Sequence, residues 1–343
     1  MTARCRRALA CGFLLAALPL GVCGQETTPD RVPNPAAAPG GTPGKPLHAE
    51  APPTTIGVLF SRDLPPYREA VEGFKARLGP DGAYTFVELI VTESEVGQLM
   101  DRVKAAQPAL ILTLGTEASK VAAMRAADTP IVFAMVANPV DSGVLPQRAY
   151  PGQMVAGVTT DVSPAEQFRT LRQAVPDARR VAVIYCPQYT EATVTAADAS
   201  AKTMGMELIR FPVEPYRVDP AIDRLENAKV DALWTLTDPG VMVPAAAKRI
   251  LTSALKAKTP VVGFSPAMVQ AGALLGLGID AKAIGRQAGN IAVAILGGEK
   301  RPADFHLVYP DETSVHVNLT VAARIGLALP KEFVAKAKTV HGQ

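Results

Sequence analysis

The chain has 343 residues, of which 48% are hydrophobic and 20% charged, enough apolar material for two ordinary globular domains with ample core. Its formal net charge is +3, but Arg4, Arg6 and Arg7 sit at the extreme N-terminus with no acid nearby, so the remainder is balanced. With no basic stripe, zinc spacing or RNA-binding signature, nucleic acid is excluded as a partner class.

The first 24 residues read as an export signal. "MTARCRR" is a positively charged start, and Ala8 to Leu20 is an apolar run of 13 residues. A bilayer-spanning helix needs about 20 apolar residues, so this run is too short. "LGVC", Leu20 to Cys23, resembles a bacterial lipobox with Cys23 as the residue to be lipidated. Val22 stands where that pattern wants Gly, Ala or Ser, and a second reading makes Val22 and Gly24 an ordinary cleavage site before Gln25. Either way the chain is expected outside the cytoplasm, in the periplasm or lipid-anchored to the membrane that faces it.

Cys5 and Cys11 lie in the signal and Cys23 at its end, which leaves Cys186 alone in the folded part. No structural disulfide or cysteine metal site follows, and the apolar setting "VAVIYC" suits a small core residue. Residues 25–53 are rich in proline and nearly devoid of large apolar side chains. They read as a tether standing a folded body off a membrane, or as a plain disordered N-terminus.

From Thr54 onward strands and helices alternate. The spacing predicts strand 54–60, helix 65–79, strand 84–91, helix 94–107, strand 109–115, helix 116–127 and strand 130–136. A break, "NPVDSGVLPQRAYPGQ", looks like a crossing between lobes. The pattern then restarts with strands at 154–160, 180–186, 207–213, 231–237, 260–264 and 273–279. Helices are expected at 163–175, 189–204, 219–228 and 243–257, then a long one over 280–298. Short strands around "FHLVY" and "SVHVNL" and helices at 320–326 and 331–338 complete the tail.

Apolar strands separated by amphipathic helices mean parallel sheets covered on both faces. Two doubly wound α/β lobes joined by a hinge fit better than a single β/α barrel, which would need closer regularity across the break. The expected division is an N-terminal lobe over 54–157, with part of 280–300 packing on it, and a C-terminal lobe over 158–279. Residues 301–343 are expected to return across the hinge.

In open parallel sheets ligands sit beyond the C-terminal strand ends. Ser61 stands there after the first strand, Thr116 and Glu117 after the third, and Asn138 after the fourth. In the second half Asp161, Tyr185, Asp238, Phe264 and Ser265 occupy such ends. Thr116 is placed to cap a helix whose first N–H groups can meet a carboxylate. Asp161 and Asp238 can answer an ammonium group, while Tyr67, Tyr185, Tyr189 and Phe264 can wall an apolar cavity. Singly, each is equally at home as an N-cap or turn former; their joint placement carries the reading. None of His48, His306, His316 or His341 falls at a main-sheet strand end, and no P-loop, dinucleotide fingerprint or G-x-S-x-G occurs.

Several stretches together resemble the substrate-binding proteins of ABC importers, in the type I branch whose members bind aromatic or branched amino acids. They include "IGVLFSRDLPPYREAVEGFKARL", "LILTLGTEASKVAA", "TPIVFAMVANPVDSG", "RVAVIYCP", "KTPVVGFSPAMVQAGALLGLGIDAKAIGRQAGNIAVAILGGEKRPADF" and "VNLTVAARIGLALP". The resemblance runs from about Ile56 to Pro330 and implies two lobes closing over a small solute. It implies a ligand carboxylate at Ser61 and Thr116 with Asn138 nearby, and an amino group at Asp238. Relatives often have Asp-Asn where this chain has Asp238-Pro239-Gly240, and an acid near Phe264-Ser265-Pro266. Those departures widen the expected solute to a more apolar or differently charged one.

The expected function is therefore a monomeric solute-binding component without catalysis or cofactor, delivering a small molecule to a permease in the inner membrane. A receptor-coupled ligand sensor is the first alternative. An exported lyase or hydrolase is the second, disfavoured by the scarcity of His and Cys.

Overall fold

A computed structural model describes residues 53–79, 83–92, 96–126, 128–305 and 307–342. The expected signal, Cys23, nearly all of the tether, Ser94 and His306 lie outside them.

The first sheet is built from β1 (Thr54–Phe60), β2 (Tyr84–Ile90), β3 (Leu110–Leu114), β4 (Ile131–Val136) and β5 (Val155–Thr159). Helices α1 (Pro65–Leu78), α2 (Val96–Ala105) and α3 (Thr116–Arg125) alternate with the earlier strands. The second half runs α4 (Pro164–Ala174), β6 (Arg180–Tyr185), α5 (Pro187–Thr203), β7 (Glu207–Pro212), α6 (Asp219–Asn227) and β8 (Ala232–Trp234). It continues with α7 (Pro244–Lys256), β9 (Val261–Gly263), α8 (Pro266–Ala271) and β10 (Leu275–Ile279). The tail holds α9 (Ala281–Leu296), β11 (Leu307–Val308), β12 (Thr313–Asn318), α10 (Leu319–Ile325), α11 (Lys331–Ala335) and β13 (Thr339–His341).

These strands form two open sheets, ordered β11-β5-β4-β3-β1-β2 and β13-β12-β10-β9-β8-β6-β7. Every pairing in the first is parallel; the second is parallel except where β12 runs against β10. The architecture is the expected pair of doubly wound lobes. The chain passes between sheets after β5, after β10 and between β11 and β12, so the hinge lies beside the β5–β11 edge.

One expectation is corrected here. The break at 138–153 joins β4 to β5 within a single sheet, and the first crossing comes only after β5. Proline and glycine mark that the chain turns, which happens inside a lobe as readily as between lobes. The strand expected over 231–237 is also shorter, because the chain folds into a tight turn in which the Asp238 N–H meets the Leu236 carbonyl. The last helix ends early, since the Lys338 N–H bonds to Val315 and leads the chain into β13 alongside β12.

The first lobe's core gathers Ile56, Val58, Phe60, Phe74 and Leu112 with Ile284 and Ala288 of α9. Helix α9 thus returns from the second lobe to complete the first. It can do so because Gly73 and Gly285 let the two backbones touch: a Cβ on Gly285 would lie 1.8 Å from the Ala70 carbonyl oxygen. In the second lobe Trp234 packs edge-on against Phe168, ring centres 5.4 Å apart, and its indole N–H donates to Gln167 Oε1 at 2.8 Å. A buried indole needs such a partner.

Candidate interlobe site

The end of β4 carries strained backbone. The pairing register with β5 shifts between Ala134 and Val136, and Met135 between them has φ 58°. Asn138 follows at φ 45°, a left-handed conformation that asparagine tolerates better than most residues. This irregular turn aims Asn138 and Asp141 at the second lobe. Asn138 Nδ2 donates to the Thr237 carbonyl at 2.6 Å and to Thr237 Oγ1 at 3.1 Å.

Helix α5 is two helices end to end, kinked at Thr190 (φ −146°, ψ 21°). An aspartate holds each start. Asp238 of the same lobe accepts from the Cys186 N–H at 2.7 Å and the Thr190 hydroxyl at 2.6 Å. Asp141 of the opposite lobe accepts from the Ala192 N–H at 2.8 Å and the Thr193 N–H at 3.0 Å, with the Thr193 hydroxyl at 2.8 Å. The unpaired N–H groups and positive dipole end of a helix make both positions favourable for a carboxylate. Asp141→Ala is expected to lower stability by about 1–2 kcal/mol, the usual cost of a lost N-cap. It should also loosen the lobes, read by urea unfolding and by an increased radius of gyration in solution scattering.

Between the lobes lies a cavity of about 760 Å³, within the size range of small-molecule sites. The first lobe contributes Asn138, Val140, Asp141 and Leu307, and the second contributes Trp234, Leu236, Thr237 and Phe264. Along α5, Ala192, Ala196 and Ala199 recur at helical spacing and form a small-residue wall. The crossing segments add Thr160, Asp161, Val162 and Tyr309.

Asp161 is the electrostatic centre of this wall. Its Oδ2 accepts from the Asn138 N–H at 2.5 Å and the Thr159 hydroxyl at 2.7 Å, and its Oδ1 from the Thr237 hydroxyl at 3.0 Å. Burial pushes its carboxyl above the usual range; those hydrogen bonds pull it back, and Asp141 nearby adds to the rise. Among the described residues, neither Asp161 nor Asp141 forms an ion pair with a lysine, arginine or histidine. Burial likewise raises the Tyr309 phenol, with Asp161 contributing.

The sequence-predicted residues divide. Asn138, Asp161 and Phe264 line the cavity, whereas Ser61, Thr116, Glu117, Tyr185, Asp238 and Ser265 do not. Ser61, not Thr116, holds the start of α3, its hydroxyl accepting the Ala118 N–H at 2.9 Å. Thr116 is the first residue of that helix and Glu117 lies exposed, 3.9 Å from Arg62. Tyr185 is buried at the end of β6, and Ser265 accepts from the Met268 N–H to start α8. Asp238 is 1% exposed, and its other oxygen accepts the Gly240 N–H at 2.8 Å, so its carboxylate is turned into its own lobe. The sequence reading missed Asp141, Thr193 and Tyr309. The alanine spacing on α5 is the sequence signal that could have pointed to this wall.

No group of three or more potential metal ligands occurs among the described residues. What the cavity offers is carboxylate and amide oxygen for a cation and an apolar surround for the rest of a ligand.

Two open α/β lobes with three crossings and a cavity between them define a two-lobed solute-binding protein of the type I periplasmic-binding fold. The model of the ABC transporter substrate binding protein family matches residues 83–341, and the chain belongs to that family. A tyrosine-binding protein of Clostridioides difficile (strain R20291) is 26% identical over 212 residues, spanning 61% of this chain and 60% of that protein. Two solved structures share the fold. One is a ligand-free, open substrate-binding protein with adhesive properties from Clostridium difficile, at TM-score 0.66 and 22% identity, covering 84% of this chain and 100% of that one. The other is a domain from Streptococcus pneumonia in complex with L-Trp, at TM-score 0.59 and 21% identity, covering 84% and 99%. Substrate-binding proteins of this family work outside the cytoplasm and are not enzymes.

Proposed function

We propose that this protein is the extracytoplasmic solute receptor of an ABC importer. It holds a small molecule with an ammonium group and an apolar, aromatic-sized body between its lobes and hands it to a membrane permease. The observation that carries this reading is the interlobe cavity itself, walled by both lobes and centred on Asp161, a carboxylate with no cationic partner among the described residues. A ligand that touches both walls favours the closed arrangement by its differential contacts. The relatives named for tyrosine and solved with L-Trp support an aromatic body, and Phe264 and Tyr309 provide matching surface. Cys23 is the proposed anchor that keeps the receptor near its permease, with the proline-rich segment as spacer.

A thermal-shift screen against aromatic and aliphatic amino acids, amines, sugars, purines and organic acids tests the proposal. A solute at 100 times its dissociation constant stabilises by about 2.7 kcal/mol, a readily visible shift. A hit confined to ammonium-bearing solutes supports the reading; hits only among sugars or organic acids contradict it.

A further inference from the structure

The charges around the cavity are one-sided. Its charged lining residues are Asp141, Arg148, Asp161 and Glu191. Glu191 is answered from outside by Arg210 at 3.5 Å, which leaves Asp141 and Asp161 against Arg148. Arg148 is exposed on the loop between β4 and β5, where water screens its hold on an anion.

An α-amino acid needs two opposite seats close together, one for its ammonium and one for its carboxylate. The ammonium has Asp161. Several donors that a carboxylate would use are already committed. The Ala192 and Thr193 N–H groups at the second start of α5 belong to Asp141. Helix α4 opens with Pro164, which has no N–H, and its Glu166 N–H goes to Ser163. The Gln167 amide is committed on both sides, to the Val162 carbonyl and the Trp234 indole. A ligand carboxylate placed beside an ammonium on Asp161 would meet the like charge of Asp161 and Asp141, and among the described lining residues the one cation, Arg148, is exposed.

Resting on the reading of this cavity as the solute site, we infer that it selects a monocationic amine with an aromatic body and no carboxylate. The solute is an arylalkylamine, not the corresponding amino acid. The aspartate from the opposite lobe supplies from within the protein the carboxylate that an amino-acid ligand would bring. Discrimination then arises from an unpaired, repelled charge on the wrong ligand as well as from contacts to the right one.

Calorimetric titration of the purified protein with matched pairs tests this: tyramine against L-tyrosine, tryptamine against L-tryptophan. Each amine is expected to bind at least tenfold tighter than its amino acid. Neutral N-acetyltyramine, with the same body, should fail to compete, and this arm needs no variant. Asp161→Asn should erase the amine's advantage. An amino acid binding as tightly as its amine overturns the inference. If that binding is lost in Ala196→Trp, which fills the cavity, the cavity remains the solute site and only the amine class fails. If neither member of any pair binds while another solute does, the amine class again fails. Silence from every solute sinks the cavity reading along with it.

Discussion

Gly285→Ala is expected to destabilise the protein by about 3 kcal/mol or more, the upper end for forcing atoms into a packed interior. The added methyl would sit 1.8 Å from the Ala70 carbonyl oxygen and 2.6 Å from its carbon. Those are backbone atoms in the middle of α1, so no rotamer change can relieve the clash; the helices must separate. Separation would uncover Ile284, Ala288 and Ile291, which α9 buries against the first sheet. At Gly97, in α2, an added methyl would meet no atom of the described residues within 4 Å. Gly97→Ala should therefore be neutral or stabilise by about 0.5–1 kcal/mol through helix propensity. Urea unfolding of both variants checks the contrast, and equal effects would refute the close-contact account.

Asp161→Asn is expected to weaken binding of an ammonium-bearing solute roughly tenfold to a hundredfold, the weight of a charge-assisted hydrogen bond in a partly desolvated site. The pH dependence carries a sign. Burial raises the Asp161 carboxyl, and only its ionised form attracts an ammonium. Affinity should fall as pH falls, beginning above the pH of about 3.9 at which an exposed aspartate titrates. Asp141 and Tyr309 are the titratable groups coupled to it, and neither supplies positive charge. Ligand binding should release protons, so the measured heat will depend on the buffer's ionisation enthalpy. In the asparagine variant both dependences should disappear. For the free protein the sign is opposite: with a raised folded-state pKa, Asp161 opposes folding above that pKa, and the cost is relieved as pH falls through it.

Most of the scaffold was legible because its strands are short apolar runs and its helices amphipathic, each with its own period. The site was legible only in part. Strand-end logic found Asn138, Asp161 and Phe264, but it could not tell which strand ends face the cavity. That depends on sheet order. With β5 and β11 at the hinge edge, the cavity forms beside β4 and β5, while the ends of β1 and β3 lie further along the sheet. Asp141 was hidden for a different reason. Its role depends on a kink at Thr190 that exposes a second helix start, and on a left-handed turn at Asn138 that brings a residue from the opposite lobe to fill it. Neither leaves a periodic trace. Asp238 shows the converse: an acid at a strand end that looks free in sequence is fully committed to the first start of the same helix.

The claim that the interlobe cavity is the solute site is tested most directly by calorimetry of the best-binding solute on the wild type and on Ala196→Trp. Ala196 faces the cavity from the small-residue wall of α5, and an indole there takes up ligand space. The account predicts that binding disappears in the variant while the free protein's melting temperature changes by no more than about 2 °C, as for a surface substitution. Unchanged affinity in the well-folded variant would contradict it and place the solute elsewhere.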